Sequence, residues 1–127
     1  MRIGELASRT GVTTRTVRYY EDLGLLPAAG RGAGGHRHYD EEAVARLQKI
    51  DWLKRMGLTL DEIAEVIPLY FDAQTSARGR RRMLTLLERR LAETEARVDG
   101  LLTLRDELRA AVERMRAATR EPAGRAG

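Results

Sequence analysis

The sequence contains no cysteine. Disulfides, thiolate metal sites and cysteine redox chemistry are therefore excluded. Large aromatics are scarce: one Trp and one Phe among 127 residues, with a charged fraction of 33%, provide only a modest core. No apolar run is long enough to span a bilayer, and the N-terminus lacks the apolar centre of a signal peptide. The expected location is the cytoplasm, with no membrane partner. Catalytic signatures are missing too. His36 and His38 lie in a presumed loop with no third metal ligand in view. No phosphate-cradling glycine motif precedes a helix at the required spacing. The carboxylates sit at helix starts or alternate with arginines. The expectation is a non-enzyme with no metal and no cofactor, built as one domain or one domain plus an extension.

What is present is basic charge, unevenly placed. The net charge is +4. Residues 1–60 carry 10 Lys/Arg against 7 Asp/Glu, and residues 76–91 carry six arginines against one glutamate. Between them, residues 61–75 hold four carboxylates and no base. A basic surface favours a polyanionic partner.

Ile3, Leu6 and Ala7 have helical spacing and predict a first helix over Ile3–Thr10, followed by a turn at Gly11. Thr13 is a good N-cap for a second helix that runs to Gly24 at its C′ position, with Val17 as core anchor. Two short helices about a glycine turn, the second carrying Thr14, Arg15, Arg18, Tyr19 and Tyr20, suit insertion into a DNA groove. Arginine can read guanine edges or pair with phosphate, and a tyrosine hydroxyl can bond phosphate. The bland alternative is an amphipathic surface helix with solvated arginines.

Pro27 ends any helix, and the glycine-rich stretch Ala28–Gly35 cannot pack a core. His36, Arg37, His38 and Tyr39 follow and can be extended, so a small hairpin or wing with a flexible tip is expected. Asp40 caps a third helix whose inner face is Val44, Leu47, Ile50 and Leu53; Lys54 and Arg55 close it before Gly57. Those two bases can meet phosphate, offset the helix dipole, or both. Thr59 and Glu62 form a capping box for a fourth helix, with Ile63, Val66 and Ile67 inside and Pro68 ending or kinking it.

From about Ser76 the pattern changes. Leu84, Leu87, Leu91, Thr94, Val98, Leu101, Arg105, Leu108, Val112 and Met115 alternate in steps of three and four. This is a heptad seam on a helix of about 40 residues, roughly 60 Å long. A second copy of the chain is the economical partner for it. The seam alone also permits a coiled-coil protein-interaction module that binds no specific DNA. Arg78, Arg80, Arg81 and Arg82 form the densest basic cluster; phosphate contact, an acidic small molecule and simple solvation all remain open for it. Tyr70 and Phe71 are expected to pack the fourth helix against the long one rather than to line a ligand pocket. The division expected is 1–73, a DNA-binding domain; 74–119, a dimerisation helix; and 120–127, a disordered tail.

Five motifs in order, Ile3-Gly4-Glu5-Leu6-Ala7, the run from Gly11 to Glu21, Gly24-Leu25-Leu26-Pro27, Arg37-His38-Tyr39 and the run from Leu53 to Ile63, resemble the MerR family of bacterial transcription regulators. The resemblance covers residues 2 to 67 and implies a mainly α fold: a winged helix-turn-helix DNA-binding domain with a small β-wing, then a long antiparallel coiled-coil dimerisation helix. It implies a homodimer on a pseudo-palindromic promoter site in double-stranded DNA, which it distorts so that RNA polymerase engages both promoter elements. By the resemblance, Arg15, Arg18, Tyr19 and Tyr20 fall on the DNA-reading helix, Arg37 and Tyr39 on the first wing, and Lys54 in a second, backbone-contacting region. The absence of cysteine departs from metal- and redox-sensing members. Any small-molecule effector, its identity open, is expected between the fourth helix, the Tyr70–Arg82 region and the long helix of a second copy, with Tyr70, Phe71, Arg78 and Arg81 as candidates; none need bind.

Overall fold

The computed structural model describes residues 1–27, 30–31, 35 and 37–120. The order of elements is α1 (Ile3–Thr10), α2 (Thr14–Asp22), β1 (Gly30–Arg31), β2 (Arg37–His38), α3 (Glu41–Arg55), α4 (Leu60–Phe71) and α5 (Ser76–Arg120). The two strands pair antiparallel, Gly30 opposite His38 and Arg31 opposite Arg37. This is the mainly α, winged helix-turn-helix arrangement with a long final helix. Most of the glycine-rich tip, His36 and residues 121–127 lie outside the described residues.

Local chemistry sets the helix boundaries. Thr13 accepts from the Thr16 amide, Asp40 from the Ala43 amide and Thr59 from the Glu62 amide, each satisfying an otherwise unpaired first-turn donor. Glu62 completes its capping box by accepting from the Thr59 amide at 2.8 Å. That backbone donor, with the Thr59 hydroxyl, draws the Glu62 carboxyl below the usual carboxylate range. Gly11 (φ 76°) and Gly24 (φ 77°) take the left-handed conformation that turns the chain after α1 and α2. Thr59→Ala is expected to cost about 0.5–2 kcal/mol of stability; a urea midpoint equal to that of the unsubstituted protein would show that the cap is idle.

The chain divides into two compact units, Met1–Arg90 and Leu91–Gly127. In the first, Leu6, Val17, Leu25, Leu26, Leu47, Ile50, Leu53, Ile63, Val66 and Ile67 form the core, joined by Met83 and Leu86 from the start of α5. Gly79 brings α5 against α4: a Cβ there would lie 2.6 Å from the Tyr70 backbone nitrogen. In the second unit, Leu91, Val98, Leu101, Leu108, Val112 and Met115 are exposed.

Of the two outcomes expected at Pro68, an end or a kink, the end is not realised: α4 runs on to Phe71. The expected packing of the two aromatics needs correction. Tyr70 and Phe71 turn their rings towards α3, where Lys49 lies over Tyr70 and Arg46 over Phe71. It is the small Gly79, not an aromatic ring, that lets α5 approach the end of α4.

Candidate nucleic-acid interface

α2 presents two faces. Val17 and Tyr20, three residues apart, are buried, which leaves Thr14, Arg15, Arg18 and Tyr19 exposed on the other side. The resemblance puts Tyr20 among the DNA-binding residues, but its side chain is part of the core at 4% exposure. Its hydroxyl accepts from Lys54 Nζ at 3.1 Å, and the same ammonium lies 5.8 Å from its ring centroid. The buried tyrosine thus holds the lysine at the end of α3 beside α2.

Tyr39 is likewise buried, at 1%, so it too is withdrawn from the surface expected for it. Its amide donates to the Met1 carbonyl at 2.7 Å and its hydroxyl donates to Glu21 Oε2. Glu21 also forms an ion pair with Arg37. One nearly buried carboxylate at the end of α2 therefore gathers both the wing arginine and the tyrosine after β2. Sequence reasoning missed Glu21, because its partners lie 16 and 18 positions away and no local periodicity marks it.

Between α2 and the wing lies a cleft of about 450 Å³ with Arg2, Arg18 and Arg37 on its walls, beside Glu21 and Asp22. Three arginines and two acidic residues share this lining, with Arg37 paired to Glu21, so the excess positive charge comes from Arg2 and Arg18. Arg2 was not singled out from the sequence; it lies N-terminal to α1, and only the fold brings it to Arg18. Arg55, exposed at the end of α3, pairs with Asp51 at 3.1 Å.

Ion pairs brace the frame behind this face. Arg9 of α1 grips Glu41 of α3 through two hydrogen bonds, 2.6 and 3.0 Å, which hold the Glu41 carboxyl below and the Arg9 guanidinium above their ordinary values. Arg82 grips Glu65 of α4 in the same forked way, and its guanidinium is raised by that bond. Arg82 therefore leaves the open basic cluster, whereas Arg78 and Arg81 remain exposed. Arg90 donates to the Met56 carbonyl at 3.2 Å, capping the turn after α3 from α5. His38 Nε2 meets the Met1 amine at 3.1 Å, and its expected companion His36 is outside the described residues.

Of the expected seam, Leu84, Leu91, Val98, Leu101, Leu108 and Val112 are exposed, while Leu87 is half-buried against the core of the first unit. Leu104, which the strict three-four spacing passed over in favour of Arg105, is exposed and shares one apolar groove with Leu101, Leu108 and Val112. No helix among the described residues is long and apolar enough to cross a membrane.

Comparison with known proteins places this geometry. Residues 1–69 match the model of the MerR HTH family regulatory protein, and residues 44–111 match that of MerR, DNA binding. The nodulation protein NolA of Bradyrhizobium sp. (strain NC92) is 43% identical over 108 residues, covering 85% of this chain and 41% of the relative. The chain thus spans about two fifths of that protein's length. An uncharacterised HTH-type transcriptional regulator of Pseudomonas aeruginosa is 36% identical over 113 residues, covering 89% of this chain and 83% of its own. A MerR family transcriptional regulator from Listeria monocytogenes has the same fold, with a TM-score of 0.71 at 23% identity over 94% of this chain and 96% of the other.

Proposed function

We propose, since the chain belongs to the MerR helix-turn-helix regulatory family, that it binds double-stranded promoter DNA as a homodimer and controls transcription by distorting a pseudo-palindromic site. Residues 1–73 act as the DNA-binding domain and 74–119 as the dimerisation helix. RNA polymerase is engaged indirectly, through the reshaped DNA, in the cytoplasm. The family consists of regulators rather than enzymes, and nothing in the proposed action involves bond chemistry.

One observation carries this reading. Arg15, Arg18 and Tyr19 are exposed on α2, and the cations beside them are tied to that helix, Arg37 through Glu21 and Lys54 through Tyr20. Groups held in fixed relation lose little side-chain freedom on binding, so more of each contact's energy appears as affinity. Thr14, Arg15, Arg18 and Tyr19 are assigned to the groove, and Arg37, Lys54 and Arg55 to flanking phosphates. Tyr20 and Tyr39 position rather than touch. Bending a site of this size costs about 1–10 kcal/mol, which phosphate contacts from two protomers offset. Effector binding, where it occurs, is assigned to the Tyr70–Phe71 end of α4, with Arg78 and Arg81 on the following helix as outer candidates.

Arg18→Ala is expected to weaken binding to the protein's own promoter by about 1–3 kcal/mol, and binding by the unsubstituted protein should fall steeply with added salt. A gel-shift titration with unchanged affinity would displace α2 as the reading helix, and a flat salt response would remove the phosphate contacts.

A further inference from the structure

Away from the α2 and wing face, α3 and the end of α4 enclose a second cleft of about 300 Å³, lined by Ala45, Gln48, Lys49, Trp52, Tyr70 and Phe71. Three of the chain's few aromatic rings meet there, all partly exposed. Tyr70 and Phe71 stand edge to face with centroids 5.1 Å apart. The Lys49 ammonium is 5.1 Å from the centroids of both Trp52 and Tyr70. Arg46, over Phe71 at 5.0 Å, is already engaged by Glu42 and by the Leu25 carbonyl. Lys49 has no carboxylate partner among the described residues: its contacts are the two rings.

We propose that this cleft binds a small aromatic carboxylate. Its ring packs against the partly exposed rings of Trp52 and Tyr70, and its carboxylate takes the Lys49 ammonium beside them as counter-ion. The volume suits a one- or two-ring acid. A cationic ligand is disfavoured, because the rings already have their cation in Lys49 and a second positive charge would lie close to Lys49 and Arg46. An aliphatic carboxylate would forgo that ring packing. This inference rests on reading the Tyr70–Phe71 end of α4 as an effector region and adds the ligand class. Lys54 lies further along the same helix, α3, so an occupant would sit on the element that carries a proposed phosphate contact.

Trp52 is the only tryptophan of the chain, so tryptophan emission reports on this cleft alone. The full-length protein, without DNA, is titrated with phenylacetate, with its neutral analogue phenethyl alcohol and with tetramethylammonium. Phenylacetate should change the emission saturably and bind at least about tenfold more tightly than phenethyl alcohol. Lys49→Gln should remove that difference at an unchanged melting temperature, Lys49→Arg should retain it, and Arg97→Gln, outside the cleft and outside the effector candidates, should leave it intact. No saturable response to any probe would overturn the site itself. A response to tetramethylammonium but not to phenylacetate would keep the effector region and overturn the ligand class. Equal affinity for phenylacetate and phenethyl alcohol would overturn the role of Lys49.

Discussion

The double substitution Leu91→Glu and Leu101→Glu is expected to convert the proposed dimer into monomers. Both leucines are exposed in the single chain, at 58% and 65%, an unfavourable state for large apolar groups unless a second surface covers them. Around Leu101 the stripe widens: Leu104, Leu108 and Val112 join it in one groove. In a two-fold antiparallel pairing, a residue near the middle of the seam meets its counterpart close to the axis. The seam runs from Leu84 to Met115, so Leu101 lies near that middle. Four leucines leave the interface when both protomers are substituted. Each contributes about 2 kcal/mol when buried, so the dimer should weaken by more than about 10⁵-fold. Promoter affinity should then fall by roughly 10²–10⁴, the advantage lost when two half-sites are no longer held by one molecule. Sedimentation equilibrium checks the first effect and gel shift the second. A dimer that survives would reject this seam.

Much of the fold was legible because helix boundaries are local chemistry. Thr13, Asp40 and Thr59 each cap in the structure as their positions in the sequence suggest. The inner face of α3 follows directly from the spacing of Val44, Leu47, Ile50 and Leu53. The same rule held the correction to Tyr20, since a residue three beyond the buried Val17 shares its face. The start of α5 was harder. Met83, Leu84, Leu86 and Leu87 are all apolar, so two faces compete, and only the packing decides that Met83 and Leu86 enter the core while Leu84 stays exposed.

The candidate interface was legible in its cations and not in what arranges them. Arg15 and Arg18 stand out by type and spacing. The tether of Lys54 to Tyr20 spans 34 positions, and the pairing of Met1 with Tyr39 spans 38. Such contacts are set by how the helices pack. The aromatic cleft is of the same kind: Trp52 and Tyr70 are remote in sequence, and only the crossing of α3 and α4 brings their rings to one lysine.

Glu21 gives the sharpest test of whether the wing must be held to the reading helix. Its side chain is 9% exposed, and its carboxylate accepts from the Tyr39 hydroxyl and pairs with Arg37. Glu21→Gln keeps the shape and an acceptor for Tyr39 but loses the charge that holds Arg37. The exchange of a charge-assisted for a neutral hydrogen bond is expected to cost about 1–2 kcal/mol of stability. Glu21→Leu also leaves the buried Tyr39 hydroxyl without its acceptor, and about 2–4 kcal/mol is expected. The effect on DNA binding has an informative sign. Removing a carboxylate from the proposed DNA-facing surface should, by charge alone, tighten binding. If Glu21 instead anchors the wing, Glu21→Gln should weaken promoter binding by about tenfold, because Arg37 must then be ordered during binding rather than before it. Titrations of both variants at fixed salt, with melting curves alongside, separate these cases. Tighter binding by Glu21→Gln at a modest stability loss would reduce Glu21 to a nearby negative charge; weaker binding by a folded Glu21→Gln would establish it as the joint between helix and wing.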